Sequence, residues 1–340
     1  MTAKHCMRQT MMLCAALFCL IALPVRAETA PVKLRYANFP AAATFPCVAM
    51  ERWAKDITAR TGGAVSIETF PGGTLLDAKN MVRGVMQGQA DIGCISTAYH
   101  PGAYPFFSVF ELPLGFSSAE TVSRVMWELY TKHQPKEVSR LKIIALFSCA
   151  PSQVMSIKPV KTPADLKGLV LRASGILADV ATTLGVSPVS MPQSDTPEAL
   201  QKGVVQGILS SFDVLKDYNF AESCRYGLAV DMPVYPFMVF MNVKTWDALP
   251  AAVQKAIMDL APEHSAWTGK YVDDHGKEAL EWSAKTHAFA LTELDAAQKK
   301  ALREMARPVI DQWIATAAAK GIEAGTLLEE VLRAKEKAEQ

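Results

Sequence analysis

Arg172 is the side chain in this sequence best placed to do chemistry. It ends a run of strand-forming residues, Leu169 to Arg172, and a helix start follows at Gly175 and Ile176. In open α/β sheets, ligands bind beyond the carboxyl ends of strands. A guanidinium there can grip a carboxylate through two parallel hydrogen bonds, a shape lysine cannot match. The plainer alternative is a surface arginine in a local ion pair. Asp213 is equally open: it could hold a ligand amine, or it could cap the helix that follows it. Tyr99 and His100 follow a strand and could face a cleft, although a lone histidine is more often a structural group.

Nothing else in the sequence has the spacing of a catalytic or metal centre. A G-x-G-x-x-G after the first strand, G-x-x-x-x-G-K-[ST], H-E-x-x-H and G-x-S-x-G are all absent, which removes the commonest nucleotide, zinc and serine-hydrolase readings. Histidines 5, 100, 133, 264, 275 and 287 show no ligand spacing. No cofactor or metal is expected. Beyond residue 27 four cysteines remain, Cys47, Cys94, Cys149 and Cys224. They permit two disulfides in three pairings, or four buried thiols. Cys47 with Cys94 is the expected pair, both falling in the first lobe.

The elements that must position these residues alternate. Lys33–Ala37, Val65–Phe70 and Ala90–Ser96 read as strands, with helices at Thr44–Thr61 and from Asp77 through Gln87 between them. That order demands parallel pairing in an α/β unit. The pattern recurs: strands at Lys142–Phe147, Val154–Ile157, Leu169–Arg172, Pro188–Met191 and Val205–Ser210, helices at Ile176–Leu184 and Thr196–Lys202. Glu263–Ala290 has no proline, and at 1.5 Å per residue gives a helix of roughly 42 Å, long enough to cross two lobes. Helices follow over Asp295–Arg307 and from Pro308 toward Lys320, and Glu323–Gln340 is a charged, amphipathic end.

The chain has 340 residues, 50% hydrophobic and 20% charged, with a net charge of +1. This is globular composition with no basic field for nucleic acid. Lys4 and Arg8 precede the charge-free run Met11–Leu23, and Val25-Arg26-Ala27 supplies small residues at −3 and −1. The pattern is that of a signal peptide, residues 1–27, cleaved after Ala27; the apolar run is too short to span a membrane. Its removal takes Lys4, Arg8 and Arg26 and no acid, moving the net charge to −2. The mature chain is expected in the periplasm.

The segment Lys161-Thr-Pro-Ala-Asp-Leu-Lys-Gly-Leu-Val-Leu-Arg172 resembles a hallmark of the DctP-type solute receptors of TRAP transporters. So do Gly88-Gln-Ala-Asp-Ile-Gly93, Pro71-Gly-Gly-Thr-Leu75, Ala199-Leu-Gln-Lys-Gly-Val-Val-Gln-Gly207 and Met241-Asn-Val-Lys-Thr-Trp-Asp-Ala-Leu-Pro250, in the family's order and spacing. The resemblance implies an α/β, two-lobe, type II-like periplasmic-binding-protein fold with a long helix spanning both lobes. Lobe I would hold 28–150 plus about 238–277, and lobe II 151–237 plus about 278–340. It implies a monomeric receptor, not an enzyme, that closes around a small organic acid. The receptor would deliver this acid to a membrane pair driven by a Na⁺ gradient. A binding protein for an ABC importer or a sensor, or a secreted enzyme on the same fold, remains the alternative.

The resemblance also assigns residues. Arg172 matches the family's carboxylate-binding arginine, and Asn38 a frequent polar contact. Gln193 stands where many members carry a stacking aromatic. Ser96, Ser152 and Ser210 stand where sialic-acid-type members carry Glu, Arg and Asn. Three serines leave a less polar pocket, which favours an aromatic or branched monocarboxylate, among them 2-oxo, 2-hydroxy and amino acids. Phe45, Phe212 and Tyr235 are candidates for its wall, or else core.

Overall fold

The computed structural model describes residues 31–340; the signal peptide expected at 1–27 lies outside them. The first strands and helices form where periodicity places them. In Val32–Ala37, Leu34 and Tyr36 are buried while Lys33 and Arg35 are exposed, the alternation of a half-buried strand. The helix Phe45–Arg60 buries Met50, Trp53 and Ile57 on one face. It stops at Gly62-Gly63, both at positive φ, a conformation glycine adopts without steric cost.

In chain order the strands are β1 Val32–Ala37, β2 Val65–Phe70, β3 Ile92–Ser96, β4 Leu141–Ser148, β5 Ser152–Ser156 and β6 Val170–Arg172. There follow β7 Ser187–Val189, β8 Gly207–Ser210, β9 Tyr226–Met232, β10 Pro236–Asn242 and β11 Ala290–Glu293. The helices are α1 Phe45–Arg60, α2 Met81–Met86, α3 Ala119–His133, α4 Ile176–Thr183, α5 Thr196–Gln201 and α6 Val214–Asp217. Then come α7 Val243–Ala248, α8 Ala251–His287, α9 Ala296–Met305, α10 Arg307–Ala318 and α11 Ala324–Ala338.

Two sheets result, ordered β2-β1-β3-β10-β4 and β11-β9-β5-β8-β6-β7. This is the expected two-lobe α/β architecture. The chain passes between sheets at Cys149–Pro151 and again at 233–235. There the two crossing strands hold each other: Cys149 N donates to Tyr235 O at 3.2 Å, and Tyr235 N to Cys149 Sγ at 3.1 Å.

The long helix departs from expectation at its start. It begins at Ala251 and runs 37 residues through Pro262 to His287, roughly 55 Å. Proline normally stops a helix by removing one N–H bond; here the helix runs on past it, packed along most of its length. α8 packs against α1, α3 and β4 on one side and α6 on the other, so it does span both lobes. Gly269 allows this approach, because a Cβ there would meet Ala119 O and Glu120 Cα at 2.6 Å. One turn on, Asp273 accepts from Ala119 N at 2.8 Å and Glu120 N at 3.0 Å, capping α3.

Other differences are smaller. The helix expected over Asp77–Gln87 is regular only at Met81–Met86, because Asp77 Oδ1 takes the Lys79 and Asn80 N–H groups in a turn. α3, β9, β10 and β11 lie where no element was expected. The last helix, expected with the second lobe, instead packs on α3 and the turn at Phe107–Glu111. All four cysteines are free and buried, so the expected Cys47–Cys94 disulfide is not formed. Cys47 Sγ instead donates to Pro40 O at 3.1 Å. Burial pushes the Cys47, Cys149 and Cys224 thiols up to about 12, which leaves them inert.

Candidate functional site

Arg172 ends β6, between β7 and β8 in the second sheet. It is only 1% exposed, and among the described residues no carboxylate touches it. Nε and Nη2 both donate to Met191 O, at 3.0 and 2.8 Å. Nη2 also donates to Tyr99 Oη at 3.1 Å, and Nη1 to Tyr235 Oη at 3.3 Å. Four of the five N–H groups of a guanidinium are therefore engaged, and one on Nη1 is left. The Nε–Nη2 edge of the fork already holds a backbone carbonyl. This fixes the side chain and leaves the charge uncompensated. An unpaired buried charge costs several kcal/mol, so the arrangement is poised for an anion.

Tyr99 supplies the complement. Its hydroxyl oxygen accepts from Arg172 Nη2 and from Gln193 N at 3.0 Å. Among the described residues no acceptor takes its hydrogen. The free Nη1–H and the Tyr99 O–H are two donors beside one positive charge, the donor set of a carboxylate subsite. Tyr235 is placed by the second crossover. Its hydroxyl accepts from Ser174 N at 3.1 Å and donates to Leu209 O at 3.4 Å.

These groups line one narrow cleft between the sheets. Of the residues expected there, Arg172, Tyr99, Tyr235, Gln193, Ser210, Asp213 and Phe45 do line it. Four do not. Asn38 is buried, its Nδ2 donating to Pro46 O and its Oδ1 accepting from Phe39 N. Ser96 and Ser152 are buried within β3 and β5. Phe212 packs edge-on against Phe289, with centroids 6.3 Å apart, beside a different depression. His100 also lines another cavity.

The apolar wall includes residues that sequence reasoning missed. Phe237 on β10 stacks near Phe147 at 5.5 Å, meets Phe45 edge-on at 5.3 Å and faces Phe39 in parallel at 6.4 Å. Phe39, Phe237 and Tyr218 all line the cleft. Phe39 directly follows Asn38, which the resemblance had singled out; Phe237 lies in a strand that was not foreseen.

Asp213 resolves against the capping alternative. It stands at the N-cap of α6 but makes no side-chain cap bond. It is 1% exposed, and its Oδ1 has no partner. The Gln193 Nε2 amide is also buried without one. No cluster of three or more His, Cys, Asp or Glu among the described residues could hold a metal.

Comparison with known proteins places this geometry. The profile of DctP, "Bacterial extracellular solute-binding protein, family 7", matches residues 37–316. A TRAP periplasmic solute binding protein from Desulfovibrio salexigens shares 52% identity, covers 91% of this chain and 97% of its own, and superposes with a TM-score of 0.82. The C4-dicarboxylate-binding periplasmic protein DctP of Rhodobacter capsulatus is 25% identical over 301 residues, 86% of this chain and 89% of its own. A TRAP solute binding protein from Rhodoferax ferrireducens, solved with copurified benzoate, is 24% identical, covers 91% of this chain and 98% of its own, and has the same fold at a TM-score of 0.86. The cleft between two sheets, the crossing strands and the long shared helix are thus those of a receptor rather than an enzyme, and the chain belongs to the DctP family of TRAP solute-binding proteins.

Proposed function

We propose that this protein is a periplasmic receptor that closes, as a monomer, on a small monocarboxylate with an aromatic or branched apolar body and delivers it to TRAP membrane subunits. The observation that carries the ligand class is Arg172, buried in the cleft without a carboxylate partner. Among the described residues it is the sole basic side chain in the lining. A second carboxylate would enter the cleft with no cation to meet it, a cost of several kcal/mol. That argues against a C4-dicarboxylate, the ligand in the name of the Rhodobacter relative. The Phe39, Phe45 and Phe237 wall suits a ring or a branched chain. In this reading the lobes divide at the two crossovers.

Mass spectrometry of ligand released from protein purified from the periplasm without refolding tests the reading. A monocarboxylic acid with a ring or branched chain is expected. Release of a dicarboxylate, a sialic acid or a uronic acid would overturn it.

A further inference from the structure

Asp213 is unexplained by a receptor that needs only a cation and an apolar wall. A fully buried acid in such a cleft must serve something, because burying a polar group without a partner costs free energy. It caps no helix and pairs with no base, and its Oδ1 makes no hydrogen bond, with the Ser211 hydroxyl beside it equally buried and unpaired. Its surroundings decide which protonation state it brings. On its own helix stand Asp217 and Tyr218; from α8 come His275 and Tyr271; Cys149 approaches from the crossover, and Arg172 lines the same cleft. Asp217 is engaged with His275 Nε2 at 2.6 Å and accepts from Phe45 N at 3.3 Å.

We propose that Asp213 is a specificity-determining residue whose buried, unpaired carboxyl selects, among apolar monocarboxylates, those bearing a hydroxyl or oxo group. This deepens the ligand class proposed above and rests on it. Two carboxyl groups close together cannot both ionise cheaply. Burial first, and the Asp217 charge second, push the Asp213 carboxyl up to about 7. With Asp213 neutral, Arg172 leaves one positive charge for one anion. An ammonium group on the ligand would instead meet the uncompensated guanidinium. A carboxylic acid both donates and accepts, so it suits a hydroxyl or a carbonyl. The unpartnered Gln193 Nε2 adds a second donor.

Paired ligands that differ by one group test this: 3-phenyllactate, 3-phenylpropanoate and phenylalanine, then 3-hydroxybenzoate and benzoate, by calorimetry at pH 6 and pH 8. In the wild type one hydroxy acid should bind at least about tenfold tighter than its unsubstituted partner, because a site built for a hydroxyl penalises its loss. That affinity should fall several-fold from pH 6 to pH 8, as Asp213 loses its proton beside an anion. Asp213→Leu should collapse the ratio toward one. Asp213→Asn, which keeps a donor and an acceptor, should keep the ratio and lose the pH dependence; thermal melts confirm that both variants fold. Arg172→Ala should weaken both members of a pair and leave their ratio. Equal affinities within every pair, with both dependent on Arg172, overturn the role of Asp213 alone. Phenylalanine binding tightest, with affinity rising toward pH 8, overturns the neutral acid in favour of an anion holding an amine. If no member of any pair binds and a dicarboxylate or sugar acid does, the ligand class fails and this proposal falls with it.

Discussion

The unused donors at Arg172 Nη1 and Tyr99 Oη rank the expected effects of substitution. Arg172→Ala removes the charge, and truncating one side of a buried charge pair typically costs 2–5 kcal/mol. Ligand affinity should fall roughly 30-fold to several thousand-fold. Arg172→Lys keeps the charge but loses the grip on Met191 O and Tyr99, so it should rescue only part. Tyr99→Phe removes one donor to the ligand and an acceptor for Arg172, and should cost less, about 1–3 kcal/mol. Calorimetry with melting temperatures in parallel checks the order; wild-type affinity in a folded Arg172→Ala protein sinks it. The position of Arg172, at a strand end in the cleft, was legible in the sequence because strand pattern and motif agreed on it. Its tie to Tyr99, 73 residues earlier, was not, since only the closed arrangement of the two sheets brings them together.

At the scale of elements, two carboxylates bind the lobes reciprocally through helix N-termini, where unpaired N–H groups favour negative charge. Glu111, from the first lobe, accepts from Ile176 N of α4 at 3.1 Å and from Thr97 Oγ1 at 2.9 Å. Asp217, from the second lobe, accepts from Phe45 N of α1 at 3.3 Å. Burial outweighs these bonds at Glu111 and pushes its carboxyl from 4.5 up to about 7. Between those values the folded chain binds more protons there than the unfolded chain, so the contribution of Glu111 to stability falls as pH rises through that window. Glu111→Gln keeps an acceptor and cannot ionise. Relative to wild type it should gain about 1–3 kcal/mol between pH 5 and pH 7.5, read from urea unfolding at both; parallel pH profiles rule it out. The helices that receive these carboxylates, α1 and α4, were readable from periodicity. β10 was not: all seven of its residues are buried, so a period of two has nothing to alternate. Pro262 misled in the opposite way, since the packing that carries α8 through it is tertiary.

For the whole molecule, closure depends on how near the two lobes can come, and Gly175 sits in tight contact with residues of the other sheet's lobe. It lies between Arg172 and α4 at φ +58, ψ −149, a region essentially restricted to glycine. A Cβ there would overlap Glu111 Oε2, and would stand 2.8 Å from Ala98 Cβ and 3.0 Å from the Ala98 backbone. Ala98 and Glu111 belong to the first lobe, so Gly175→Ala wedges the cleft open. Opening about the crossovers at Cys149–Pro151 and 233–235 relieves the overlap with Ala98 and Glu111. The substitution should therefore bias the closure equilibrium rather than unfold the protein. A receptor whose closed state is less populated binds more weakly by that fraction. Gly168→Ala is the control: it has φ +78 and nothing within 4 Å, so it adds backbone strain without touching the other lobe. Small-angle scattering should show the wild type and Gly168→Ala contracting when ligand is added, and Gly175→Ala failing to contract. Calorimetry should show at least a tenfold loss of affinity in Gly175→Ala and little in Gly168→Ala. If Gly175→Ala contracts with ligand as the wild type does and binds as tightly, contact at Gly175 does not limit closure.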